Sequence, residues 1–272
     1  MELKATRYER DGAVATIWLH RPERHNAWTG RMYTEYRWLL AELDADPAVR
    51  AVVVTGTPPA FCVGGDSQAL TDHATRGGYD SGVAADAARP GYGVRVEYDA
   101  DLVFHYGMRF PVIAAVNGAC AGVGLALALF CDLRYVASTA KFTTAAPKLG
   151  LPAEYGMSWV LSRLVGVTRA AELLLAGRVH TGAESAGWGL WNDVLPSGDA
   201  TLSAAQTMAH HLATAVGPEA VRVTKQQLYA DLLSNDPAAA IGTAHALLHT
   251  AMGSAEYREG VAALRGKRAP CF

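Results

Sequence analysis

Before about residue 154 the hydrophobic positions switch between the periods of strands and helices, and after it they keep the helical period. Asp11-Gly12 separates residues 6–9 from the apolar run 13–19, a strong β-hairpin signal. Thr29 is placed to cap a helix whose Met32, Tyr33, Tyr36, Leu39, Leu40 and Leu43 share one face. Residues 50–56 and 112–116 are short apolar runs that predict buried strands, and 132–137 predicts a third. A glycine-rich turn and a helix near 122–130 lie between the last two. Strands alternating with helices predict an α/β fold with a largely parallel sheet.

The later helices are expected over 154–164, 168–176, 202–213, 218–232, 237–252 and 255–264. Pro218 and Pro237 fall in the first turn of theirs, where the missing N–H would have no partner anyway. The simplest division is a strand-bearing core over 1–200 and a helical region over 201–272, with no internal repeat visible. Residues 71–93 are rich in Gly, Ala, Asp, Ser and Arg and follow neither period, which predicts a mobile loop or lid.

Composition narrows function mainly by exclusion. Half of the 272 residues are hydrophobic, enough for a sizeable core. A net charge of −2 gives no basic field to attract nucleic acid. The start of the chain has no apolar signal-peptide core, and the stretch 118–131, at 14 residues, is too short to span a membrane. Cys62, Cys120, Cys131 and Cys271 form no C-x-x-C pair and no metal-ligand spacing with histidine. The expectation is a cytoplasmic protein with no metal, no disulfide framework, no nucleic-acid partner and no membrane anchor.

Two loops carry candidate chemistry. Pro59-Ala60-Phe61-Cys62-Val63-Gly64-Gly65-Asp66 follows one predicted strand, and Asn117-Gly118-Ala119-Cys120-Ala121-Gly122-Val123-Gly124 follows another and leads into a helix. Glycines at such turns bring backbone N–H groups close to a ligand, and a helix start favours negative charge there. Each loop alone also reads as a plain tight turn. Neither is a P-loop or a G-x-G-x-x-G motif.

Taken together, these loops resemble the crotonase superfamily, the enoyl-CoA hydratases and isomerases. The resemblance runs along the whole chain, through His20-Arg21-Pro22-Glu23-Arg24-His25-Asn26-Ala27, Ala60-Phe61-Cys62-Val63-Gly64-Gly65-Asp66 and Ala114-Ala115-Val116-Asn117-Gly118. It continues through Cys131-Asp132-Leu133-Arg134 and Arg163-Leu164-Val165-Gly166 to Lys267-Arg268-Ala269-Pro270-Cys271-Phe272. It implies a spiral of ββα units, a C-terminal helical region that makes homotrimers or hexamers, and an acyl-CoA thioester substrate. Coenzyme A enters as part of that substrate, with no separate cofactor. The resemblance also implies an oxyanion hole formed by the N–H groups of Gly65 and Val123. The family usually has glycine where Val123 stands, so its side chain is expected to narrow the acyl entry or displace the backbone. Coenzyme A contacts are implied for Gly65, Asp66, Ser67 and Gln68, for Arg24, and for Lys267. Gln68 stands where relatives often have lysine. Arg24 and Lys267 read equally well as solvated surface charges.

The reaction is a separate question. Hydratases of this family use two glutamates, and the matching positions here hold Ala126 and Ala146, which cannot transfer protons. Instead, Leu149-Gly150-Leu151-Pro152-Ala153-Glu154-Tyr155-Gly156 is similar to the segment bearing the single catalytic glutamate of peroxisomal-type Δ3,Δ2-enoyl-CoA isomerases. That similarity implies Glu154 as the base that moves a C=C bond through a thioester enolate. Glu154 also reads simply as an acid supporting a helix start. Atypical hydration, thioester hydrolysis, decarboxylation and a non-catalytic acyl-CoA-binding protein remain open beside isomerisation. Asp66 is read as a helix cap and Asp132 as a structural turn acid. His105, Tyr106 and Tyr155 are either pocket lining or hydrogen-bonded packing.

Overall fold

The computed structural model describes Met1–Phe272. β1 (Thr6–Asp11) and β2 (Val14–Leu19) form the expected antiparallel hairpin. α1 (Gly30–Ala45) follows, with the Thr29 hydroxyl accepting the Met32 N–H at 3.1 Å and with the expected apolar stripe buried. The chain then repeats one unit: a strand in a large sheet, a short strand in a small sheet, and a helix. The first copy is β3 (Ala51–Gly56), β4 (Ala60–Cys62) and α2 (Ser67–Arg76). The second is β5 (Val112–Val116), β6 (Ala119–Ala121) and α3 (Val123–Phe130), and the third is β7 (Leu133–Ala137), β8 (Lys141–Thr143) and α4 (Met157–Leu164). β3, β5 and β7 pair in parallel, as do β4, β6 and β8, so successive units stack as a spiral. α5 (Gly166–Ala176), β9 (His180–Thr181) and β10 (Asp193–Leu195) complete it, β9 edging the small sheet and β10 the large.

Alternation along the large sheet sorts its side chains into two cores. Val52, Val54, Val112, Ala114 and Val116 join the main core. Ala51, Val53, Ile113 and Ala115 face the other way, against Ala205, Ala209 and Ala213 of α6 (Gly198–Thr214). Cover on both faces explains why these strands read as unbroken apolar runs. The expected division after residue 200 falls within α6. α7 (Pro218–Leu232) is anchored by Lys225, which donates to the Phe110 carbonyl at 2.8 Å and to Asp132 at 2.7 Å. α8 (Pro237–Met252) has no buried residue, and α9 (Ala255–Gly266) buries only Ala263. No helix is long and apolar enough to cross a membrane.

Two expectations are corrected. Part of the aperiodic segment 71–93 is helical: residues 71–76 are the second half of α2, which Asp66 caps at one end and left-handed Gly77 closes at the other. α2 buries none of its side chains, so no apolar stripe announces it. The helix expected from residue 154 begins at Met157 instead, because Tyr155 (φ 49°) and Gly156 (φ 68°) are left-handed and interrupt the helical geometry.

Candidate active site

β4 and β6 lie side by side and parallel, so the loops that follow them emerge together at one edge of the small sheet. Gly64 (φ 98°) makes the close approach possible, since a Cβ there would stand 3.2 Å from the Ala121 carbonyl oxygen. Gly124, the second residue of α3, does the same from the other loop: a Cβ would meet Cys62 Cβ at 2.7 Å and hold α3 away from β4.

The first loop is held by Trp28. Its N–H donates to the Gly64 carbonyl at 2.7 Å, and its carbonyl accepts the Asp66 N–H at 3.0 Å. Between these two bonds the Gly65 N–H donates to no group of the protein, and Gly65 is exposed. Val123 is the first residue of α3, so its N–H also has no partner within the helix. Its side chain is 4% exposed and belongs to the main core, where a valine is accommodated without loss of the N–H.

Asp66 organises the surrounding charge. Its carboxylate accepts the Gln68 N–H at 3.0 Å, Arg21 Nη1 at 3.0 Å and Arg24 Nη2 at 3.2 Å. Burial by itself would raise its pKa, but these three donors outweigh burial and hold the carboxyl below the ordinary aspartate range. Arg24 also donates to Ser67 Oγ at 3.1 Å, while the Gln68 amide turns back to Asp72 at 3.0 Å. Arg24, Gly65, Asp66, Ser67 and Gln68 therefore meet in one place. Arg21 was not singled out by sequence reasoning, yet it shares Asp66 with Arg24. It also lines a cleft of about 480 Å³ together with Lys4, His20, Glu23 and Arg31.

Lys267 is not part of this cluster. It is exposed at the left-handed end of α9 and makes no ion pair or side-chain hydrogen bond. The tail beyond it is tied at the opposite end of β3, where Arg50 Nη2 donates to the Phe272 carbonyl at 2.7 Å.

The positions that matched the hydratase glutamates, Ala126 and Ala146, are fully enclosed. Glu154 is half-buried in the segment before α4. Its carboxyl accepts no hydrogen bond and joins no ion pair, and burial raises its pKa above the ordinary 4.5. The adjacent Tyr155 hydroxyl lies 2.8 Å from that of Tyr79. Tyr155 is half-buried, and burial raises the pKa of its phenol, which the charge of Glu154 raises further. Asp101 is a second carboxylate near these tyrosines, but it is engaged by the Tyr33 hydroxyl at 2.7 Å and Arg37 at 4.0 Å.

The other candidates are packing groups. His105 is buried with its Nε2 2.9 Å from the Tyr36 hydroxyl, and burial, aided by Lys225, pushes its pKa down to about 3. Tyr106 stacks on Tyr229 at 3.6 Å between ring centroids. Asp132 accepts the Val112 N–H at 2.6 Å and pairs with Lys225, as a structural acid does.

Known proteins resemble this chain along nearly its whole length. A family profile described as enoyl-CoA hydratase/isomerase matches residues 9–272. A probable enoyl-CoA hydratase of Mycobacterium tuberculosis is 34% identical, covering 97% of this chain and 96% of that protein. A 1,2-epoxyphenylacetyl-CoA isomerase of Escherichia coli is also 34% identical, covering 95% and 94%. The crystal structure of a probable enoyl-CoA hydratase/isomerase from Mycobacterium abscessus superposes with a TM-score of 0.85 at 33% identity, covering 98% of both chains.

Proposed function

The chain belongs to the enoyl-CoA hydratase/isomerase family, and on that premise we propose that it shifts a C=C bond of an enoyl-CoA through a thioester enolate. The observation that carries this reading is the lone carboxylate of Glu154, half-buried and unpartnered, in a chain with alanine at both positions of the paired-glutamate mechanism.

Removing a proton from C2 places negative charge on the thioester oxygen. The N–H groups of Gly65 and Val123 receive that charge as two preorganised donors, each worth about 3–4 kcal/mol. Glu154 takes the C2 proton and returns it at C4, so one carboxylate completes the cycle. Its raised pKa makes it a stronger base at neutral pH than a solvated glutamate. Hydration would need a second group to protonate carbon while the first activates water, and Asp101 is held by Tyr33 and Arg37.

The phosphates of coenzyme A are assigned to the Arg24–Ser67 corner and to the cationic cleft that Arg21 joins to it. Lys267 of a given chain lies with the tail at the other end of β3, so in this reading it serves the coenzyme of a neighbouring copy in a homotrimer or hexamer. The apolar side chains that α8 and α9 leave in solvent, Ile241, Leu248, Met252 and Leu264, are the surface offered for that assembly.

The test follows a 3-enoyl-CoA to its 2-enoyl isomer beside hydration of the 2-enoyl-CoA, with the wild-type protein. Isomerisation faster than hydration supports the proposal. Dominant hydration, or no turnover of either thioester, overturns it in favour of an atypical hydratase or a binding protein respectively.

A further inference from the structure

Glu154 is followed by a residue in a costly conformation. Tyr155 has φ 49°, which L-residues other than glycine seldom adopt and which persists only where surrounding contacts enforce it. The backbone turn over Tyr155 and Gly156 is closed by the Met157 N–H donating to the Glu154 carbonyl at 3.0 Å, and the one hydrogen bond of the Tyr155 side chain is to the Tyr79 hydroxyl, at 2.8 Å, with the two rings edge to face at 6.4 Å. Tyr79 is 62% exposed, so core packing does not account for its position.

Tyr79 is itself braced from α2. The His73 ring lies 5.2 Å from the Tyr79 ring, and its Nε2 is 2.8 Å from the Asp80 carbonyl oxygen. The Asp80 carboxylate accepts the Gly82 N–H at 2.8 Å and Arg76 at 3.4 Å. At its other end α2 starts at Asp66, the residue after Gly65. The capped helix α2 therefore stands between Gly65, just before its cap, and Tyr79, three residues beyond its end.

We infer that Tyr79 is a positioning residue: through Tyr155 it fixes Glu154 relative to α2 and the Gly65 loop that precedes it. The inference rests on the reading of Glu154 as the base. Substrate contact is not required of Tyr79, only the phenol–phenol hydrogen bond. That bond couples the two halves of the site across 76 residues of chain.

The experiment compares Tyr79→Phe, Tyr155→Phe, the double variant and Glu154→Gln in the isomerisation assay, with pH–rate profiles and thermal melts. Each phenylalanine variant should lose about five- to tenfold in kcat with KM little changed, as expected for one hydrogen bond acting on a positioned base. The double variant should lose no more than either single, because the same bond is removed twice. The acid limb of the kcat profile should move down toward the ordinary glutamate value, since a loosened Glu154 is better solvated. The melting temperature of Tyr79→Phe should stay within about 2 °C of wild type, as for an exposed substitution. If Glu154→Gln abolishes turnover while the phenylalanine variants match wild type, the base reading stands and this inference fails. Additive losses, or a shift in melting without a change in the pH profile, also overturn it. Full activity of Glu154→Gln overturns the base reading and the inference with it.

Discussion

Trp28 brackets Gly65: the indole residue's backbone donates to Gly64 on one side and accepts from Asp66 on the other, at 2.7 and 3.0 Å. The Gly65 N–H is left without a partner in an exposed loop that is fixed by a residue 37 positions earlier in the chain. Its orientation is therefore set before any ligand arrives, which is the condition for a backbone N–H to stabilise a developing negative charge.

The proposed second donor, Val123 on α3, is open to a direct substitution. Val123→Pro removes the N–H at the first helical position, the one place where an α-helix tolerates proline. The preceding Gly122 (φ 50°, ψ −123°) has no side chain to oppose the proline ring. Circular dichroism should be unchanged, while kcat should fall by about 10²–10³, the usual effect of losing one oxyanion donor. Unchanged kcat in a folded variant would remove Val123 from the account.

Asp66 ties the first loop to Arg21 and Arg24 and caps α2. Asp66→Ala should cost about 1–3 kcal/mol of stability through the lost cap and the arginines left without their acceptor. It should also weaken acyl-CoA binding, measured by calorimetry. The folded pKa of Asp66 lies below its ordinary value of 3.8, so its stabilisation is present above that value and is lost as the pH falls through the folded pKa. Wild type should therefore lose more stability than Asp66→Ala on acidification below pH 3.8, as chemical denaturation across that range would record.

Burial sets the working range of Glu154. Its pKa is raised, so with Glu154 as the proposed base, isomerisation should be lost at a pH where a solvated glutamate would still be ionised. The acid limb of kcat against pH should therefore fall above 4.5, with folding intact at that pH by fluorescence. An acid limb at or below 4.5 would contradict the desolvated environment.

α8 leaves Ile241, Leu248 and Met252 each more than half exposed, a pattern unusual for a helix whose only role is to cover its own core. Light scattering should give a trimer, about 86 kDa from three chains of 28.8 kDa, or twice that. Leu248→Asp should shift the population toward monomer. A wild-type monomer at micromolar concentration would contradict the proposed assembly.

The long elements are legible in the chain because their burial writes a period into it. Thr29 and the stripe from Met32 to Leu43 announce α1, and the continuous run at Val52–Val54 announces a strand covered on both faces. The small sheet is less legible, since β4, β6 and β8 have three residues each, too few to display an alternation. α2 is hidden because nothing on it is buried. The glycine loops and Glu154 can be found by motif, whereas Arg21 on Asp66 and Tyr79 on Tyr155 are contacts across 45 and 76 residues that no local pattern encodes. The start of α4 is set by a local turn, left-handed at Tyr155 and Gly156 and closed by the Met157 N–H on the Glu154 carbonyl, which the helical period does not reveal.

The central claim is that one carboxylate moves the proton, and the rate of 3-enoyl-CoA isomerisation by Glu154→Gln beside wild type measures it most directly. The substitution keeps the size of the side chain and removes the base. Acyl-CoA should bind with unchanged affinity while kcat falls by about 10²–10⁴, the loss expected for a positioned general base. An isomerisation rate within a few-fold of wild type would contradict it.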